Sequence, residues 1–123
     1  EEFTMKKLTS LAILGAAMLS QPALSEIGFV NDASITQIIT TESNYGGCMT
    51  KLSKAISTGA SACPGEWVSF ACTGTVDNSV RQASAMWDMV LLAYALEKKV
   101  RVRVDSNKQL NGYCYADYIR VQD

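Results

Sequence analysis

The chain contains no histidine. That removes the general base of a Ser-His-Asp or Cys-His mechanism and the commonest nitrogen ligand of zinc. It lacks any C-x-x-C pair, so zinc ribbons and thioredoxin-like redox motifs are excluded as well. It lacks an excess of either charge: 11 Lys and Arg stand against 12 Asp and Glu, a net charge of −1. A nucleic-acid partner, which calls for a strong basic surplus, is not expected. There is no internal repeat and no low-complexity tract. No spacing of carboxylates singles out an acid–base pair. Asp105, Asn107 and Asp117 begin like a D-x-N cation loop, but the glycine and terminal glutamate of an EF-hand are missing, and a simple turn is the expectation. No catalytic residue, metal or cofactor is predicted, and the chain is not read as an enzyme.

What is present is an export pattern and four cysteines. Met5-Lys6-Lys7 is a positive leader start, Leu8 to Leu19 is a short apolar run, and Ala23-Leu24-Ser25 is a small-residue cleavage pattern before Glu26. Residues 1–4 read as a cloning scar, 5–25 as a signal peptide, and 26–123 as a single domain. The apolar run is shorter than the about 20 residues that span a bilayer, and no second such run follows. The mature protein is therefore expected in the periplasm or medium, with no membrane span. In that oxidising setting Cys48, Cys63, Cys72 and Cys114 are expected to form two disulfides, and four cysteines allow three pairings.

The segment Ser34–Thr41 is rich in β-branched residues and predicts a first strand. Glu42-Ser43-Asn44-Tyr45-Gly46-Gly47 predicts a turn. Cys48–Ile56 predicts a second strand, with Cys48, Thr50 and Leu52 on one side; a helix is the alternative. Ser57–Gly65 is a loop of small residues. Glu66–Cys72 predicts a third strand, with Val68, Phe70 and Cys72 inward. Ser79-Val80-Arg81-Gln82 fits a capping box, and Val80, Ala83, Trp87, Val90, Leu91 and Tyr94 continue as a helical apolar stripe toward Lys98-Lys99. Val100–Val104 predicts a fourth strand with Arg101 and Arg103 outward. A turn at Asp105–Lys108 and a fifth strand at Gly112–Val121 complete the order β-β-β-α-β-β. That is the order of an OB-fold, a five-stranded barrel with one helix; an α+β sheet with one packed helix is the alternative.

With Ile35-Thr36-Gln37 in the first strand, Cys48 and Cys63 at their spacing, and a helix running into Lys99-Val100-Arg101-Val102, the chain resembles the B subunits of bacterial AB5 toxins of the subtilase cytotoxin and typhoid toxin kind. It also resembles small exported proteins of Gram-negative bacteria through CPGEWVSFAC, AYAL-x-K-x-VRV and NGYC. The toxin resemblance implies a small secreted OB-fold binding module that assembles with copies of itself. It also implies the pairing Cys48–Cys63, which leaves Cys72–Cys114. The toxin glycan pocket does not carry over residue by residue. Asn31 rather than Ser34 takes the register of its serine, and Val104 replaces its aromatic residue.

Candidate binding or interface residues are Trp67, Tyr113 and Tyr115, read as outward rings near Arg101 and Arg103. Met89 and Leu92 are candidates for contact with a second copy, because the helix is apolar on more than one side. The expected function is a secreted binding module for an exported protein or a glycan. The alternative is an accessory envelope protein with no small-molecule site.

Overall fold

The computed structural model describes residues 26–123, so the leader pattern of Lys6, Lys7, Leu8–Leu19 and Ala23-Leu24-Ser25 lies outside the described residues. The domain is mainly β, with six strands and one helix. The strands are β1 Ile27–Ala33, β2 Ile35–Thr40, β3 Cys48–Leu52, β4 Trp67–Ser69, β5 Lys99–Leu110 and β6 Tyr113–Gln122, and the helix α1 is Val80–Ala95. They form one sheet in the order β1-β5-β6-β4-β3-β2. Every neighbouring pair is antiparallel except β4 with β6.

Five expected strands are thus six, and the hydrogen-bonded ladder is not closed into a barrel. Ile27–Ala33, ahead of the expected first strand, is a strand in its own right. Its sequence, IGFVNDA, lacks clean alternation, and it is the long β5 beside it that supplies its partners. Asp32 takes a left-handed φ of 52°, and the register shifts between Val30 and Ala33. An irregularity of this kind bends a strand. β1 and β2, the two ends of the sheet order, are therefore separated in the chain by Ser34 alone. Gly28 lets β1 pass close to the small-residue loop, since a Cβ there would stand 1.7 Å from the carbonyl oxygen of Gly59.

The second and third strands end earlier than their composition suggests. β3 stops at Leu52, and Ile56–Thr58 forms a 3₁₀ turn instead. β4 stops at Ser69 because Ala71 adopts φ 53°. β5 runs on through the expected turn at Asp105–Lys108. Asn107 N–H does donate to Asp105 Oδ1 (2.9 Å), and the ladder to β6 shifts register between Val104 and Gln109, but the chain does not reverse there. It reverses at Asn111-Gly112, with φ of 49° and 85°. An Asn-Gly pair with both angles positive is the favoured two-residue hairpin turn, because its twist matches that of the strands.

The core is built from alternation. Val100, Val102 and Val104 point inward from β5 and are fully buried, while Arg101 and Arg103 point out. Val30, Leu52, Val68, Cys114, Ala116 and Ile119 meet them from the other strands, and Phe70 from just beyond β4. α1 begins as expected: Ser79 Oγ accepts from Gln82 N–H at 3.1 Å. It ends with Glu97 in the left-handed region, where Lys98 N–H reaches the Ala93 carbonyl at 2.9 Å and Glu97 N–H reaches that of Tyr94. These two bonds satisfy carbonyls that the last turn leaves open. The buried face is Ala83, Met86, Val90 and Ala93, with Trp87 at its margin. The predicted stripe is rotated accordingly: Val80, Leu91 and Tyr94 are exposed.

The disulfides are Cys48–Cys72 and Cys63–Cys114, which corrects the pairing implied by the toxin resemblance. The cause is topological. Phe70 N–H bonds the Cys48 carbonyl, so Cys72 follows β4 back along β3 to Cys48. Cys63, buried in the loop after β3, meets Cys114 on the inward face of β6.

Candidate functional site

The outer faces of β2, β3 and β4 share a register that brings side chains together. Ile39 lies opposite Met49, and Met49 lies opposite Ser69; Lys51 lies opposite Trp67. Residues paired across antiparallel strands project to the same face. Two connections close over this face. The 3₁₀ turn Ser43–Tyr45 between β2 and β3 delivers Tyr45, and the Asn111-Gly112 hairpin delivers Tyr113. Their rings meet with centroids 5.9 Å apart, tilted by 54°. The result is an open cleft of about 220 Å³ lined by Ile39, Thr41, Tyr45, Met49, Trp67 and Tyr113.

The loop carrying Tyr45 is held from both sides. Gly46 and Gly47 have φ of 90° and 83°. A Cβ on Gly46 would stand 2.4 Å from Ser69 Oγ, the atom that donates to the Tyr45 carbonyl at 2.7 Å. The Cys48–Cys72 bridge adjoins Met49 and ties the same corner. Met49 is buried although it faces outward, among the aromatic residues that line the cleft. Trp67 and Tyr113 are only half-buried. Three aromatic walls with few hydrogen-bonding groups suit an apolar ring face or a flat side chain, with the tyrosine hydroxyls and the indole N–H at the margin.

No known protein-family model, curated protein or solved structure matches the chain. Its site is therefore read from its own residues.

Of the predicted candidates, Trp67 and Tyr113 are brought together, and Tyr45, Met49, Ile39 and Thr41 complete the cleft with them. The visible signal for Tyr45 is an aromatic residue inside the Asn44–Gly47 turn. Tyr115, expected outward and exposed, is instead buried. Its hydroxyl donates to Asp77 Oδ2 at 3.1 Å, and burial first, then Asp77, raises its pKa. Arg101 and Arg103 are not at the cleft. Arg103 grips Asp117 with two hydrogen bonds, 2.7 and 3.1 Å, and Lys108 adds a third at 3.4 Å. Burial disfavours the Asp117 carboxylate, but these cations outweigh it and hold its pKa below the ordinary value. Asp117 thus serves an ion-pair cluster. Arg101 lies over the Phe29 ring, 3.8 Å from its centroid.

Met89 and Leu92 are both exposed on α1, as expected, together with Leu91, Tyr94 and Leu96. Two grooves flank this helix where it borders β2. One, of about 540 Å³, lies by Ser34, Ile35, Tyr94 and Lys98; the other, of about 170 Å³, lies by Ile38, Ile39, Trp87 and Leu91. Among the described residues no helix is long and apolar enough to cross a membrane.

Proposed function

We propose that this chain is an exported, disulfide-bonded binding module of the OB type, which takes a protein or glycan ligand at the aromatic cleft and associates with copies of itself. The observation that carries the reading is the convergence of Tyr45, Trp67 and Tyr113 from three separate segments onto one open face. The OB architecture is supported by β1 and β2 acting as two arms of one bent strand, and by the parallel β4–β6 pair. OB barrels are often partly open, and they seat ligands on the face of their second and third strands between two loops. In this reading those strands are β3 and β4, and the loops are the ones that carry Tyr45 and Tyr113. Export is supported by the leader pattern and by two disulfides.

A screen of the oxidised protein against soluble oligosaccharides and against peptides rich in aromatic residues and proline tests the cleft and separates the two ligand classes. For any ligand found, Trp67→Ala and Tyr113→Ala are each expected to weaken binding about tenfold, the loss of roughly 1.4 kcal/mol of stacking and contact. Binding that is indifferent to both changes refutes the site.

Self-association rests on α1. The only charges on the helix are Arg81 and Asp88, seven residues apart and so on one face, amid exposed Leu91, Leu92 and Met89. Two copies crossing antiparallel would set Arg81 of one against Asp88 of the other, which matches charge across an apolar contact. Met89→Asp or Leu92→Asp is expected to lower the mass measured by light scattering while the melting curve stays cooperative. A wild type that is monomeric at high concentration rules this association out.

A further inference from the structure

We infer that the outer face of β5 and β6 carries an anion site, in which Arg101 and Arg120 together take one carboxylate, sulfate or phosphate group. The two arginines are direct cross-strand partners in the antiparallel ladder. Their side chains therefore leave the same face within about 5.5 Å of each other at the Cβ atoms. Like charges set opposite in this way oppose pairing unless something of the other sign lies between them. Among the described residues no carboxylate forms an ion pair with either arginine, although Asp32 lies in the β1 bulge opposite Arg101. Arg103, one pair further along, is matched by Asp117, and Lys98 is matched by Asp123, but neither Arg101 nor Arg120 makes an ion pair. The next pair on the same face in the other direction is Lys99 with Gln122, and Lys99 Nζ donates to the neutral Ser34 Oγ at 2.7 Å. The face is thus locally basic in a chain whose net charge is −1.

Arg101 is positioned rather than free. Its guanidinium lies 3.8 Å over the Phe29 ring, and Phe29 is itself braced edge-on by Tyr118, with centroids 5.6 Å apart. Arg101 Nε is buried and has no hydrogen-bond partner. Stacking fixes the orientation of the guanidinium, whose planar fork is suited to an oxyanion with two acceptor oxygens. Exposed Arg120 supplies the second cation from across the ladder. The site is distinct from the aromatic cleft. Tyr113 pairs with Leu110 at the hairpin end of the two strands, nine residues along β5 from Arg101.

The test is an NMR titration of the purified exported protein with sodium sulfate, sodium phosphate and sodium acetate, each balanced with chloride to constant ionic strength. The expected result is saturable shifts of the Phe29, Arg101 and Arg120 amides, with the Trp67 indole signal unmoved. Arg120→Gln should weaken the apparent affinity at least fivefold. Arg101→Lys, which keeps the charge but loses the planar fork, should weaken it as well. Which anion binds best assigns the ligand group: acetate points to a carboxylate, and sulfate or phosphate to an ester of that acid. Shifts that never saturate, or an affinity unchanged in Arg120→Gln, overturn the proposal. Melting provides an independent readout. In dilute chloride Arg120→Gln should melt at or above the wild type, because the opposed charges are relieved; added sulfate should reverse that order. An equal rise in both proteins also overturns the site.

Discussion

Replacing Cys63 and Cys114 together by alanine is expected to lower the unfolding free energy by about 4 kcal/mol, more than the same change at Cys48 and Cys72. The Cys63–Cys114 bridge spans 51 positions and the Cys48–Cys72 bridge 24. In the chain-entropy description, the longer loop confines the unfolded chain more, by about 0.7 kcal/mol between these two lengths. Burial widens the gap. Cys63 and Cys114 are both fully buried members of the core, whereas Cys72 is only packed against it. Truncating both core sulfurs removes contacts as well as the crosslink. The longer bridge also ties the loop after β3 to β6, across elements that no ladder joins directly. Urea unfolding of the two double variants at neutral pH, without reductant, is the measurement. Equal losses, or the larger loss at Cys48 and Cys72, would show that the longer bridge does not dominate.

The pairing also illustrates what a single chain can reveal. The helix was legible because its cap is local: Ser79 and Gln82 are three residues apart, and their bond depends on nothing distant. β5 was legible because valine alternation marks its buried face, though it runs past the polar stretch that looked like its end. Long-range partners were not legible. Whether Cys48 meets Cys63 or Cys72 depends on β4 returning alongside β3, a non-local pairing. β1 was hidden for the same reason, since it is a strand by virtue of β5 and not of its own composition. The hairpin at Asn111-Gly112 was legible in principle, because the dipeptide itself signals the turn. It was masked by the more polar Asp105–Lys108 segment upstream.

The candidate site divides in the same way. Trp67 and Tyr113 stood out as aromatic residues on predicted strands. Tyr45 did not, because a tyrosine in a glycine-rich turn is brought to them only by the fold. Simple alternation from Tyr113 points Tyr115 outward, but it is buried. In the structure it lies under Asp77, whose carboxylate takes its hydroxyl hydrogen bond. Arg101 and Arg103 alternate outward as expected, yet their partners come from β1 and β6, and these draw them away from the cleft.

Phe70→Ala is expected to cost about 3–5 kcal/mol, the usual loss for truncating a fully buried phenylalanine. Phe70 has no exposed surface and is the largest of the completely buried side chains. It lies just beyond β4 and packs on Trp87 of α1, with ring centroids 6.1 Å apart and a tilt of 51°. It is therefore an apolar link between the sheet and α1. Its backbone N–H holds the Cys48 carbonyl, so the surrounding chain is fixed and cannot readily collapse into the space the ring leaves. A domain of this size has a total stability of about 5–15 kcal/mol, so the variant should be close to the limit of folding. Phe70→Leu fills more of the space and should lose less. The comparison separates a packing role from a general intolerance of change. Equilibrium urea unfolding of both variants checks the prediction, with the denaturant slope showing whether the transition stays cooperative. A loss below about 1.5 kcal/mol for Phe70→Ala would mean that α1 does not depend on this contact for its seat on the sheet.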